Sequence, residues 1–200
     1  MNSQYIIDYA TSTHTHALMQ MWKLCFLNTD KFDQLYFNKV YKPDETIILF
    51  TEETIIASLQ MIPYRIKNGG NFLQGGYISG AMTHPDYRKK GYMDKLLQVS
   101  FDEMIKKDYD YAFLIPQEEG LIDMYAKYGF RPCEPNPNPP ENIVVKTPEQ
   151  WALIQQDYFN ETGLWLENEP FFPNEHKGMI KRLNPAVKEI TTLYMGMMLD

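Results

Sequence analysis

The sequence predicts a mixed α/β fold, a sheet covered by helices, and three observations carry that prediction. Apolar residues recur at spacings of three and four in 18–25 and again in 92–105. Between 46 and 83 the chain is rich in Ile, Leu and Thr, interrupted by short polar steps. The two patterns also alternate: a strand, two helices, three strands, a helix, a strand, a helix, then further strands.

Taken in order, Tyr5 to Tyr9 is a short run of β-formers and predicts an opening strand. Thr13 stands as an N-cap before a helix whose face is Leu18, Met21, Trp22 and Cys25. Asp30 stands as the cap of a second helix carrying Phe32, Leu35, Tyr36 and Val40, closed near Pro43. Thr46–Phe50 and Thr54–Tyr64 read as a hairpin, and Asn68-Gly69-Gly70 as the next turn. Gly76 to Thr83 is a further strand, broken at His84-Pro85. From Tyr92 a helix carries Leu96, Leu97, Phe101, Met104 and Ile105 on one side. Tyr111–Ile115 is a short apolar strand, and Glu119–Tyr128 a helix ended by Gly129. Five prolines in 131–140 exclude regular helix and central strand there. Beyond them, Ile143–Lys146 predicts a strand, Pro148–Phe159 a helix, and Ile190–Leu199 a last strand.

The chain has 200 residues, enough for one substantial core, and is 44% hydrophobic and 22% charged. A formal charge of −7 argues against nucleic acid as the main partner, because phosphate contacts need clustered Lys and Arg. Cys25 and Cys133 fit neither a zinc site nor a redox pair, so two buried free thiols are expected. His14, His16 and His176 show no ligand spacing, so no metal is expected. No apolar run approaches the ~20 residues needed to cross a bilayer. Met1-Asn2-Ser3-Gln4 opens no charged segment followed by an apolar core. The expectation is a cytoplasmic protein without a membrane partner.

The most informative segment is Pro85-Asp86-Tyr87-Arg88-Lys89-Lys90-Gly91-Tyr92-Met93, which joins a strand to a helix. A helix N-terminus exposes unpaired N–H groups and the positive end of the helix dipole, so it suits phosphate. Gly91 permits a tight turn and the close approach of an anion. Arg88, Lys89 and Lys90 add positive charge at that point. Neither Gly-x-x-x-x-Gly-Lys-Ser/Thr nor Gly-x-Gly-x-x-Gly is present. By itself the segment also suits a basic turn capping a surface helix.

A second motif, Tyr125-Ala126-Lys127-Tyr128-Gly129-Phe130, closes the helix after the next strand. In this order and separation the two motifs resemble the GCN5-related N-acetyltransferase (GNAT) family over roughly Gly76 to Phe130. The form Pro-x-Tyr-Arg-x-x-Gly-x-Met-x-x-Leu-Leu is similar to the enhanced-intracellular-survival (Eis-like) branch, whose members are longer. The resemblance implies a mostly antiparallel central sheet with a splayed acetyl-CoA cleft. It also implies one domain over 1–200, with the motifs in 1–134 and the sheet completed by 135–200.

Site roles follow from the resemblance. The backbone of Met82 and Thr83 would pair with the pantetheine arm of acetyl-CoA as an added strand. The amides from Arg88 through Lys89, Lys90, Gly91 and Tyr92 to Met93 would hold the pyrophosphate. Met93 stands where the family most often has Gly or Ala, so its side chain must point away from the ligand. The acetyl carbonyl would lie beside Gly80–Thr83 and Tyr111–Ile115. Tyr125 would protonate the departing thiolate, since a phenol with a pKa of ~10 holds its proton at neutral pH.

Tyr36, Tyr64 and Glu118 are candidates for the acceptor side, as are Phe37 and Phe72. Each of these aromatics is equally explained by packing, and Glu118 and Glu119 by first-turn helix dipole effects. His84, beside the loop, could deprotonate an amine, but it fits the turn before Pro85 better. The expected activity is acetyl transfer to a primary amine of a small molecule or protein. The alternative is a non-catalytic acyl-CoA-binding sensor or scaffold. The apolar last strand could pair across a homodimer.

Overall fold

The computed structural model describes residues 5–26, 29–52, 54–134, 140–148, 150–152, 155, 156, 159 and 178–195. Twelve elements follow in order: β1 (Ile6–Tyr9), α1 (Thr15–Cys25), α2 (Asp30–Lys39), β2 (Thr46–Phe50), β3 (Ile55–Asn68) and β4 (Asn71–Thr83), then α3 (Tyr92–Lys106), β5 (Tyr111–Leu114), α4 (Gly120–Ala126), β6 (Arg131–Pro132), β7 (Asn142–Val145) and β8 (Met179–Arg182). This is the mixed α/β fold that the alternating patterns predict, with the mostly antiparallel open sheet that the family resemblance implies. The contacts divide the chain into two compact units. One holds the chain up to Ile62 together with Ile78–Met104, and the other holds Pro63–Tyr77 and the chain from Ile105.

In the first unit β1 runs antiparallel to β2, and β2 to the first half of β3, with the second half of β4 beside β3. Leu18, Met21 and Trp22 of α1 and Tyr36 and Phe37 of α2 are buried, which is the spacing the sequence shows. They form one core with Ile48 and Met82. Trp22 stacks on Tyr36 with ring centroids 4.7 Å apart, and Phe37 meets it edge-on at 5.7 Å. Aromatic contacts of this kind contribute about 0.5–1.5 kcal/mol beyond their buried area.

The second unit is built on β5, which is buried at all four positions. It runs parallel to β4 at Gly75–Tyr77 and antiparallel to β8, while β7 pairs with the end of β3. Strands buried on both faces read as continuous apolar runs, and Tyr111–Leu114 does. The Asp110 carboxylate accepts from the Gln74 N–H (2.8 Å) and the Asn184 side-chain amide (2.9 Å), tying three segments at the start of β5.

Several boundaries differ from the sequence expectation. The cap before α1 is a short helical turn, Ser12–His14, headed by a capping box between Thr11 and His14, rather than Thr13. For α2 the cap is Thr29, whose hydroxyl accepts from the Phe32 N–H at 3.2 Å; Asp30 is already the first helical residue. The last expected strand reduces, over 190–195, to isolated bridges at Thr192 and Tyr194; its end lies outside the described residues. Also outside them are His176, residues 135–139 of the proline-rich loop and part of the 148–159 helix. Both cysteines are free but only half-buried, and burial pushes the Cys133 thiol up to about 12. The strand β8 has no counterpart in the sequence reading.

Candidate functional site

The strand β4 sets the geometry of the first motif. Its pairing with β5 stops at Tyr77, although β4 itself continues to Thr83. The backbone is left-handed at Gly80, at φ +55, and a Cβ there would stand 2.5 Å from Trp22 Cζ3. Only glycine satisfies both conditions. Past this kink the His84 N–H donates to the Ile56 carbonyl of β3 at 2.9 Å. Backbone groups alternate sides along an antiparallel strand. Ala81 and Thr83 therefore present theirs to the edge away from β3. Met82 has the opposite parity, and its side chain is buried in the core.

After Thr83 a single helical turn, Pro85–Tyr87, is capped by His84, whose Nδ1 accepts from the Asp86 N–H at 3.3 Å. His84 thus belongs to the turn. The next residues are exposed and alternate in hand, with φ +62 at Lys89 and +75 at Gly91. Such alternation is how backbone amides form concave anion-binding nests. Among the described residues, the N–H groups of 89–94 donate to no backbone acceptor. They head α3, which adds its dipole. Nothing lies within 4 Å of a Cβ at Gly91, so the space above the turn is open.

Arg88 is anchored: Nε donates to the Thr83 carbonyl at 3.2 Å, and Nη2 lies 3.7 Å from Cys25 Sγ. The Cys25 thiol donates to the same carbonyl at 3.6 Å. The Lys90 ammonium donates to the Asp86 carbonyl (3.1 Å) and sits 5.1 Å from the centre of the Tyr87 ring. Tyr92 and Met93 are half-buried at the start of α3. The sequence reading gives Cys25 no part in this site and names Ala81 only within Gly80–Thr83. Counting back two residues from Thr83 would have found Ala81, whereas no local signal ties Cys25 to a residue 58 positions away.

Tyr125 lies in the second unit, on α4, and is 7% exposed. Its ring meets Phe130 edge-on at 5.8 Å, and its carbonyl accepts the N–H groups of Tyr128 (3.0 Å) and Phe130 (3.3 Å) as the helix closes. Burial pushes its phenol up to about 12, so the hydroxyl is neutral throughout the physiological range. Glu118 is exposed just before α4, and its carbonyl accepts from Leu121.

The other candidates separate. Tyr36 is buried in the first unit, where its hydroxyl donates to Gln60 Oε1 at 2.9 Å, with Ser79 Oγ at 3.5 Å. Tyr64 is buried in the second unit between Tyr77 (6.2 Å) and Phe113 (5.9 Å), and it borders a surface cavity of about 390 Å3 with Arg65, Gln74 and Lys146. Phe72 is exposed beneath the Arg65 guanidinium. Among the described residues no group of three or more His, Cys, Asp or Glu could hold a metal ion, and no helix is long and apolar enough to cross a membrane.

Residues 7–133 match the acetyltransferase (GNAT) domain. The chain belongs to the GNAT family. The fold of this GNAT chain recurs in a GNAT family N-acetyltransferase from Escherichia coli solved with CoA. The two align with a TM-score of 0.62 at 13% identity, over 98% of this chain and 91% of that one. A GCN5-related N-acetyltransferase from Anabaena variabilis aligns at 0.58 with 19% identity, over 66% of this chain and 33% of that one. Eis1 from Mycobacterium abscessus aligns at 0.55 with 11% identity, over 66% and 32%. The chain spans about one third of the length of the first of these solved structures that it resembles. No curated protein sequence matches it.

Proposed function

We propose that the protein is an acetyl-CoA-dependent N-acetyltransferase that acetylates a primary amine of a small molecule or protein. The observation that carries the reading is the exposed turn at 88–93. From Lys89 on its amides donate to no backbone acceptor among the described residues, it alternates in hand, and it opens a fifteen-residue helix directly after a strand that has lost its neighbour. The pyrophosphate of the coenzyme takes the amides of Lys89, Lys90, Gly91, Tyr92 and Met93, whereas the Arg88 amide is already given to the Pro85 carbonyl at 3.3 Å and Arg88 contributes its charge. The pantetheine arm adds along β4 through Thr83 and, by strand parity, Ala81, with Met82 contributing its buried side chain beneath them.

The acetyl carbonyl lies along Gly80–Thr83. A neutral amine attacks its carbon, the electron pair moves onto oxygen, and a strand amide stabilises that oxyanion. The pair returns as the C–S bond breaks. Tyr125 gives its proton to the thiolate and regains one from solvent, to which the acylated amine has lost its own. The E. coli neighbour solved with CoA supports the choice of donor. The motif form, with Tyr87, Met93, Leu96 and Leu97 around Arg88 and Gly91, is similar to that of the Eis-like branch, and the fold shared with Eis1 is compatible with membership there.

A second reading, an acyl-CoA-binding sensor without turnover, is favoured by one observation: the Tyr125 phenol is held near 12, well above the pKa that suits an acid at neutral pH. Thiol release from acetyl-CoA across an amine panel separates the two. Turnover on at least one amine supports the enzyme; tight coenzyme binding with no turnover on any supports the sensor.

A further inference from the structure

One side-chain donor at the kink of β4 has no hydrogen-bond acceptor among the described residues. Gln60, on β3, is 4% exposed, and its Nε2 lies 3.3 Å from where a Cβ would stand on Gly80. Its Oε1 is fixed by the Tyr36 hydroxyl at 2.9 Å, so the amide cannot rotate freely and its nitrogen faces β4. Tyr36 is itself held by stacking on Trp22, the residue that excludes any side chain at Gly80. A carboxamide offers two N–H donors, which can meet an acceptor that comes from outside the chain. The kink falls on the stretch of β4 whose far edge has no partner strand among the described residues.

We infer that Gln60 donates a second hydrogen bond to the thioester carbonyl of bound acetyl-CoA, which makes it a catalytic residue that stabilises the oxyanion, with Tyr36 as the positioning residue that aims it. The inference rests on the reading of acetyl-CoA as donor and adds a group that the family motifs do not contain. As the amine nitrogen bonds to the carbonyl carbon, negative charge grows on the oxygen that Gln60 faces. When the C–S bond breaks, the charge leaves with the sulfur and the Gln60 hydrogen bond relaxes. The amide itself exchanges no proton. A pre-aimed donor of this kind is worth about 100-fold in turnover.

The test uses the full chain with acetyl-CoA labelled with carbon-13 at the acetyl carbonyl. Infrared difference spectra give the carbonyl stretch of the bound thioester, a readout that needs no amine acceptor. In wild type the band should lie below its position in water-free solvent, and Gln60→Met, which keeps the volume, should move it up. Tyr36→Phe should move it part of the way and broaden it. With an amine that turns over, Gln60→Met should lower kcat about 100-fold at unchanged KM, and Tyr36→Phe about 10-fold. A stretch identical in wild type and Gln60→Met, with both folded and both binding acetyl-CoA by calorimetry, overturns the inference while leaving the donor reading intact. Failure of wild type to bind acetyl-CoA overturns both. If Gln60→Met does not fold, Tyr36→Phe alone decides by the same band.

Discussion

At 88–93 the chain offers a ligand its backbone, on an exposed turn that opens a long helix; at Tyr125 it offers one side-chain hydroxyl, buried at the close of a short one. The difference bears on what each can tolerate. Amides bind phosphate whatever side chains they carry, so the proposed site accommodates Met93 where the family usually has a smaller residue. In the proposed mechanism the phenol has no such latitude, because its proton and its place are the whole of its contribution. The first motif is therefore sensitive to backbone hand and the second to a single oxygen atom.

Removing that oxygen is the sharpest way to break the comparison. Tyr125→Phe should lower kcat on a competent amine about 100-fold while leaving coenzyme affinity and the melting temperature nearly unchanged, since general acid catalysis contributes at least that much. Steady-state kinetics beside a thermal melt would check it, and turnover equal to wild type would remove Tyr125 from the mechanism. The burial that isolates this phenol has a consequence for stability. Tyr36 and Tyr125 both rise from an ordinary 10.0 to about 12 in the fold. Each native state then holds a proton that the unfolded chain releases, so their contribution is complete below pH 10 and is lost as pH climbs towards 12. Denaturant titrations across that window should show stability falling by roughly 2 kcal/mol per phenol.

The exposed turn should respond more mildly. Arg88→Ala should weaken CoA binding about 10-fold, with a shallower salt dependence, because it removes one anchored charge and leaves the amides in place. Calorimetry at two ionic strengths would show it. Smallest of all is Gly91→Ala. Nothing crowds the new methyl, so the cost is that of a left-handed alanine, about 1 kcal/mol of stability. A far larger loss would mean that the turn is packed more tightly than its open surroundings allow.

Much of this was legible in the sequence, for identifiable reasons. α1, α2 and α3 declare themselves because one buried face repeats at three and four, and β5 because a strand buried on both sides is apolar throughout. The loop announces itself by Arg88, Gly91 and the break at Pro85. Thr29 and Asp30 are both good caps, so composition alone could not choose between them. Thr83 could be named from its place before Pro85, but which of its neighbours shares its edge depends on the hydrogen bond between His84 and Ile56. β8 escaped because four residues, Met179–Arg182, neither alternate nor run apolar. The meeting of Gln60, Tyr36 and Gly80 joins three elements and has no local signature at all.

The interleaving of the two units along the chain has a consequence for synthesis. The first unit is interrupted after Ile62 and resumes at Ile78, with the hairpin turn between β3 and β4 belonging to the other. A ribosome releases the chain from its N-terminus, and domains tend to fold as they emerge. Here the opening helices and strands must wait for Met104 to leave the exit tunnel before their unit is complete. A nascent chain halted anywhere between Ile62 and Met104 holds β1, β2 and the first half of β3 without all of β4 and α3. The turn at 88–93, where the coenzyme is proposed to bind, is thus among the last parts of its unit to be made.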